Sequence, residues 1–228
     1  MVYRTTPKML ERKEARRQKL LEEAVRLFGR EGYHATTVPM IVRAANSSIG
    51  SFYFYFRNKE HIFAAVLEAL GERVSSALNE ALRASGSDVL GQMKAAVKAL
   101  VQFLAENPDE ARILIVESSG LGKRLESIRR QIIASHTRSV EQALRALSGS
   151  LPPLDPATVA SCWVGAALEA VFHWLEQPPD QRLPAENLAE SIARFNLRGI
   201  GAPVEVTEEE NHGRQTNRRK QPASGIGT

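Results

Sequence analysis

The sequence predicts an all-α protein of about nine helices. Three observations carry this. Alternating β-branched runs bounded by turns, the signature of strands, are nearly absent. Ala, Leu, Glu, Arg and Gln, all strong helix formers, are plentiful. Apolar residues recur at spacings of three and four between clear stop signals.

The first helix is expected from about Lys13 to Arg30, with Leu20, Leu21, Ala24, Leu27 and Phe28 as one apolar stripe and Gly32 as its stop. Thr36 or Thr37 caps a second helix holding Val38, Ile41 and Ala45, with Pro39 in its first turn. Asn46 is a turn residue that tolerates left-handed geometry. A short third helix covers about Ser48 to Phe54. Asn58 caps a fourth, whose apolar face is Ile62, Phe63, Val66, Leu67 and Leu70.

Ser85-Gly86-Ser87 breaks the chain before a helix from about Asp88 to Glu106. Pro108 starts the next, and Gly120 and Gly122 end it. A long helix follows from about Lys123 to Leu147, then a Pro-rich loop. Helices from about Ala157 to Glu176 and Ala185 to Arg198 complete the set, split by Pro178-Pro179. The stretch 201–228 is poor in large apolar residues and is expected to be a disordered tail. Its Arg218-Arg219-Lys220 is read as solvated charge.

Charge is uneven. Up to Lys19 the chain carries seven basic residues (Arg4, Lys8, Arg12, Lys13, Arg16, Arg17, Lys19) against Glu11 and Glu14, or +5 of a net +4. A basic arm on a near-neutral body points to a polyanion touched at one end. Cys162 is the single cysteine, so no internal disulfide can form, as expected in a reducing compartment. No apolar stretch follows the basic N-terminus as in a signal peptide, and the longest apolar run, Val164 to Leu175, is interrupted by Glu169 and His173. A soluble, cytoplasmic protein without membrane contact is expected.

The segment Thr36 to Phe56 reads T-T-V-P-M-I-V-R-A-A-N-S-S-I-G-S-F-Y-F-Y-F. Two short helices around a tight turn make a helix-turn-helix, whose second helix lies in the DNA major groove. Five aromatics cannot all point inward from little more than one turn, since successive residues rotate by about 100°. Phe52 and Phe56 share the inner face, and Tyr53 and Tyr55 are left at least partly exposed. Candidate DNA contacts are Thr36, Thr37, Ser47, Ser48, Ile49, Gly50, Ser51, Tyr53, Phe54, Tyr55 and Lys59. Hydroxyls and phenols supply donors, Gly50 permits close approach of the backbone, and Lys59 adds a phosphate charge at a helix start.

These residues resemble the TetR family of bacterial regulators. The likeness rests on L-L-E-E-A-V-R-L-F-G-R-E-G-Y-H-A-T-T-V, then S-I-G-S-F-Y-F-Y-F-R-N-K-E, then I-F-A-A-V-L, and covers about Lys13 to Leu70. Three positions depart from the family's habit: Asn46 where Gly is frequent at the turn, Ser47 where a buried Val is usual, and Ile49 where Lys is common. Ile49 either loses a phosphate contact or gains an apolar one to a thymine methyl.

The resemblance implies a helix-turn-helix domain over 1–60 and a helical effector-binding and dimerisation domain over 61–200. It further implies a homodimer on a palindromic double-stranded operator, and repression relieved by a small effector. The last two helices suit a four-helix interface, because Ala160, Gly165, Ala166, Ala167 and Ala170 allow close approach while Trp163, Trp174, Ile192 and Phe195 fill between. Candidate effector contacts are Phe103, Glu117, His136, Trp163, Glu169, Phe172, His173 and Trp174, suggesting an apolar ligand such as a fatty-acyl compound. Glu169 and His173, four apart on one helical face, are read first as a pair with each other or as a partly exposed edge, and second as ligand contacts.

Other classes are weighed beside this. An effector-independent regulator or an activator has the same sequence signals. A helical enzyme has weaker ones. His173 stands about 16 Å along the same helix from Cys162, too far to activate it. The other histidines are scattered without metal-ligand spacing, and no catalytic residue, metal or cofactor is expected.

Overall fold

The computed structural model describes residues 7–147 and 149–202. Nine α-helices are found among them, and no strand: α1 (Pro7–Glu31), α2 (Val38–Ala44), α3 (Ile49–Tyr55), α4 (Lys59–Ala84), α5 (Val89–Glu106), α6 (Pro108–Arg112), α7 (Lys123–Ala146), α8 (Pro156–Glu176) and α9 (Ala185–Gly199). The expected tail lies outside the described residues beyond 202, as do Arg4 and Arg218-Arg219-Lys220.

Local chemistry accounts for most boundaries. Thr37 Oγ1 accepts the Met40 N–H at 3.4 Å, Ser48 Oγ that of Ser51 at 3.1 Å, and Asn58 Oδ1 that of His61 at 2.8 Å. Each satisfies a donor that the first helical turn leaves without a partner. Between α2 and α3, Asn46 adopts φ +47°, its N–H bonds the Arg43 carbonyl, and the Ser47 N–H reaches back to Val42. This Schellman closure needs a left-handed residue, and Asn supplies it in place of Gly.

Two expectations change. The first helix starts at Pro7, not near Lys13, so the basic arm is a helical extension. Lys8 to Arg12 contains no breaker, and Pro is tolerated at a helix start. The helix from Pro108 does not run uniformly: at Ile113–Glu117 it widens into a π-helical turn. A third finding concerns α8, which is by length and composition apolar enough to cross a membrane, with mean hydropathy 1.2 over its best 18-residue window. Glu169 and His173 do not break that average. The helix packs on α7 and α9, and only 28% of the window is buried.

The interior has two centres. One gathers Leu20, Leu27 and Phe28 of α1, Ile41 of α2, Phe52 of α3 and Phe63 and Leu67 of α4, together with Phe56, Ile113 and Leu125. Phe28 meets Phe63 edge-on at 4.8 Å between ring centres. The other gathers Val97 and Leu104 of α5, Trp163 and Val171 of α8, and Ile192 and Leu197 of α9. Leu114, in the π-helical turn, packs against both. α1 and α6 also touch: a Cβ on Gly29 would lie 2.5 Å from Asp109 Cβ and 2.7 Å from its backbone, so only Gly permits this approach.

Candidate nucleic-acid interface and ligand cavity

The helix-turn-helix presents an outer face built by α3 and the turn before it. Phe52 and Phe56 are 0% and 2% exposed, whereas Ile49, Tyr53 and Phe54 are 46%, 55% and 66% exposed. Ser48 and Gly50 are exposed, and Ser47, Ser51 and Tyr55 are half-buried. Burial of large apolar side chains is the normal outcome of folding, so an exposed Ile-Tyr-Phe set on a seven-residue helix is a candidate contact surface. Thr37 is exposed at the N-terminus of α2.

Helix α1 brings its charge alongside. Lys13 Nζ lies 5.2 Å from the Phe54 ring centre, and the Arg17 guanidinium carbon 5.8 Å from that of Phe56. Arg16 and Lys19 wall a cleft of about 430 Å³ with Asn46, Ser47, Ser48 and Ser51. Cations and hydroxyls therefore share one face with the exposed aromatics.

Thr36 must be removed from the predicted contacts. It is fully buried, and its hydroxyl donates inward to the Gly32 carbonyl at 2.8 Å, with Leu27 O at 3.2 Å. A β-branched hydroxyl that follows a helix stop satisfies the frayed carbonyls there and has no path to a groove. Lys59 also has inward work. Its ammonium donates to the carbonyls of Tyr33 (2.8 Å), Thr36 (3.0 Å) and His34 (3.3 Å), and sits 4.4 Å from the Tyr33 ring centre. Burial pushes its pKa down from the ordinary value. An ammonium has three protons, so a phosphate contact would require Lys59 to give up one of these bonds.

The second half holds a cavity of about 590 Å³ enclosed by α4, α5, the π-helical turn, α7 and α8. That size is within the ~300–1,000 Å³ usual for small-molecule sites. Its wall is mainly aliphatic: Leu67, Val74 and Leu78; Val97, Leu100 and Leu104; Leu114, Ile115 and Val116; Ile132, Ile133 and Val140; Val164 and Leu168. Ser118, Ser119, Arg129, His136 and Glu169 are its polar members.

Of the eight predicted effector contacts, the fold brings four to this wall: His136, Trp163, Glu169 and Phe172. The others point elsewhere. His173 and Trp174 follow Phe172 by one and two residues and are carried about 100° and 200° round α8. His173 is exposed, with a ring nitrogen 3.5 Å from Gln177 Nε2 rather than paired to Glu169. Trp174 Nε1 donates to the Leu183 carbonyl at 2.8 Å, and Arg182 stacks on its ring at 5.1 Å. Phe103 turns to Arg73, whose guanidinium carbon is 5.3 Å from its ring centre.

Glu117 leaves the cavity altogether. Its carboxylate accepts the Tyr33 N–H at 2.9 Å and pairs with Arg112 at 3.2 Å. Leu114, Ile115 and Val116 thus line the cavity while the next residue grips the loop between α1 and α2. Sequence reasoning missed Arg129, Ile133 and the π-helical residues as wall. Ile133 lies three residues before His136 on the same helix, a spacing readable in the sequence; nothing in the sequence marks a π-helical turn.

Comparison with known proteins places this geometry. The family of bacterial regulatory proteins called tetR matches residues 20–66. Over 155 residues the chain is 32% identical to the uncharacterized HTH-type transcriptional regulator YdgC of Bacillus subtilis (strain 168), spanning 65% of this chain and 75% of that protein. The chain belongs to the TetR family. It is therefore a helix-turn-helix, DNA-binding transcriptional regulator. A second relative, the HTH-type regulator YhgD of the same organism, is 24% identical over 192 residues, 82% of this chain and 97% of that one. The TetR fold extends along most of the chain. The transcriptional regulator FadR from Bacillus subtilis, solved with stearoyl-CoA, superposes with a TM-score of 0.71 at 20% identity, over 80% of this chain and 98% of its own. AibR, solved with isovaleryl coenzyme A and operator DNA, gives 0.66 at 21% identity, over 79% and 97%.

Proposed function

We propose that this TetR-family regulator is a repressor that binds a palindromic operator as a homodimer and leaves it when an acyl-CoA-type effector occupies the cavity. The observation that carries the reading is the π-helical turn, whose residues Leu114 to Val116 line the cavity while Glu117 holds Tyr33 N–H beside the helix-turn-helix. A ligand that displaces this turn has a mechanical route to α1 and α2. Release then requires the effector to favour the displaced arrangement over the DNA-competent one.

On the DNA side, α3 is inserted in the major groove. Ser47, Ser48, Ser51, Tyr53 and Tyr55 donate hydrogen bonds, Ile49 and Phe54 make apolar contacts, and Gly50 allows close approach. Thr37 and the α1 cations Lys13, Arg16, Arg17 and Lys19 engage phosphates. The helix-turn-helix unit ends near residue 60, and the effector and dimerisation unit extends to about 200.

Dimerisation is assigned to α8 and α9. Along α8, Ser161, Cys162, Gly165 and Glu169 are exposed, and a Cβ at Gly165 would meet nothing within 4 Å. Phe195 on α9 is 68% exposed. A mostly uncovered apolar helix beside an exposed Phe is what an isologous two-helix face needs. An apolar effector is supported by the aliphatic wall, and its acyl-CoA character by the two superposed regulators whose structures hold stearoyl-CoA and isovaleryl coenzyme A. With DNA as target, the site of action is the cytoplasm.

The test is a mobility shift on the DNA flanking the protein's own coding sequence, with and without stearoyl-CoA or isovaleryl-CoA. Retarded complex that disappears on adding either compound supports the reading. Binding unaffected by both defeats the effector assignment. A monomer by light scattering defeats the interface.

A further inference from the structure

Two buried side-chain polar atoms among the described residues have no hydrogen-bond partner: Glu110 Oε2 and His136 Nε2. The first belongs to a carboxylate whose other oxygen is ion-paired with Arg73. The second belongs to a ring in the cavity wall with no such compensation. On α7 its neighbours one turn away are Ile132, Ile133 and Val140, all apolar wall. A polar atom buried without a partner is costly, and protein interiors rarely retain one without a use.

The other polar wall groups are occupied or peripheral. Ser118 Oγ donates to the Leu114 carbonyl at 2.8 Å. Arg129 faces Glu126 at 3.6 Å. Glu169 is exposed. His136 Nε2 is thus the fully buried side-chain polar atom of the wall that still needs a partner.

Resting on the acyl-CoA reading above, we infer that His136 is a specificity-determining residue of the cavity. Its Nε2–H donates to the carbonyl oxygen of a thioester-linked acyl chain, and this bond selects the esterified chain over free acid or plain alkyl. The chemistry follows from charge. Burial pushes the imidazole pKa below its ordinary value, so the ring is neutral near pH 7. A neutral donor satisfies a neutral carbonyl fully. A free carboxylate in the same place would be a charge set among Ile132, Ile133 and Val140, with the wall's cation, Arg129, already facing Glu126, and such burial is disfavoured. A methylene in place of the carbonyl leaves Nε2 unpaired.

The experiment uses the full-length protein and two ligand pairs: stearoyl-CoA with S-octadecyl-CoA, and isovaleryl-CoA with S-isopentyl-CoA. In each pair the thioether replaces the carbonyl by a methylene. Titration calorimetry of the wild type should show the thioester of at least one pair bound about 10- to 100-fold more tightly, the range of one buried hydrogen bond. In His136→Phe the ratio should collapse towards one through weaker thioester binding, with thioether affinity kept. His136→Gln, which retains an N–H donor, should restore part of the ratio and decides the matter if the Phe variant does not fold. Equal wild-type affinities within each pair overturn the inference while leaving the acyl-CoA effector standing, and free stearate bound as tightly as stearoyl-CoA also overturns it. Binding of none of the CoA compounds defeats the effector reading itself, and this inference falls with it.

Discussion

In the N-terminal core the rings of Phe28, Phe52, Phe56 and Phe63 are each 2% exposed or less and fill the space between α1 and α4. In the C-terminal half, Trp163 and Phe172 instead stand in the wall of a cavity of about 590 Å³. The first region closes its interior and places its chemistry outside, on α3. The second leaves its interior open and lines it with aliphatic side chains. A fully packed core is rigid and gives a recognition helix one fixed orientation. A core with a hole can exist in more than one packing, as a ligand-controlled switch requires.

The largest expected effect separates neighbours within one short helix. Phe52→Ala empties the closed core and should cost about 3–5 kcal/mol in chemical denaturation, with operator binding lost through unfolding. Phe54→Ala, two residues on and 66% exposed, should shift stability by no more than about 0.5 kcal/mol. It should weaken operator binding in a well-folded protein. Equal destabilisation by the two would erase the inside–outside division of α3.

Filling the hole tests the other region. Ala96 lines the cavity from α5. Ala96→Phe should leave stability within about 1 kcal/mol, because there is room where a packed core would be strained. Acyl-CoA affinity should fall at least about tenfold while operator affinity is kept, which combined calorimetry and mobility shifts would show. A large loss of stability would mean that the space is not available to a side chain.

The contrast also explains what was legible in the sequence. The helix-turn-helix was readable residue by residue because caps, turn and aromatic spacing are local: Ser48, Asn58, Asn46, and Phe52 with Phe56 at i,i+4 all behave as their chemistry dictates. Thr36 escaped because Thr36 and Thr37 are the same residue type, and only the fold decides which one caps α2 and which turns to the Gly32 carbonyl. The cavity was half legible. Glu169 and Phe172 lie within about 60° of each other around α8, but Trp163 lies about 180° from Phe172 and within about 20° of Trp174, so helical phase alone does not separate the wall residues from Trp174. Glu117 was misplaced because the π-helical turn, whose Leu114 packs against both cores, changes the phase of the side chains.

Glu117 joins the two regions, so its removal sharpens the comparison further. Glu117→Ala deprives the half-buried Tyr33 N–H of its acceptor and Arg112 of its partner. The expected cost is about 1–3 kcal/mol. Acyl-CoA should still bind, but its power to release the operator should drop, whereas Glu117→Gln, which keeps an acceptor for Tyr33, should retain most of it. Full release by the Ala variant would move the coupling to the α1–α6 contact at Gly29 and Asp109.

The smallest effect is a pH slope that belongs to the cavity. The folded pKa of His136 lies below its ordinary 6.5 because burial disfavours the imidazolium. Between the folded and unfolded values the unfolded chain binds more protons, so stability rises with pH through that interval. The contribution is complete above about 6.5 and declines as pH falls towards the folded value. Asp155, at the N-terminus of α8, occupies a different window. Hydrogen bonds from the Thr158 side chain and N–H hold its carboxyl below the ordinary 3.8, so its contribution is present above that value and disappears only in stronger acid. Denaturation midpoints from pH 7.5 down to 5, at about half-unit steps, should therefore slope less in His136→Phe than in the wild type, and Asp155→Asn should leave the slope in that range unchanged. An unchanged slope in the Phe variant would mean that the imidazole is as well solvated in the fold as in the unfolded chain, and the open interior would then be water-filled around α7.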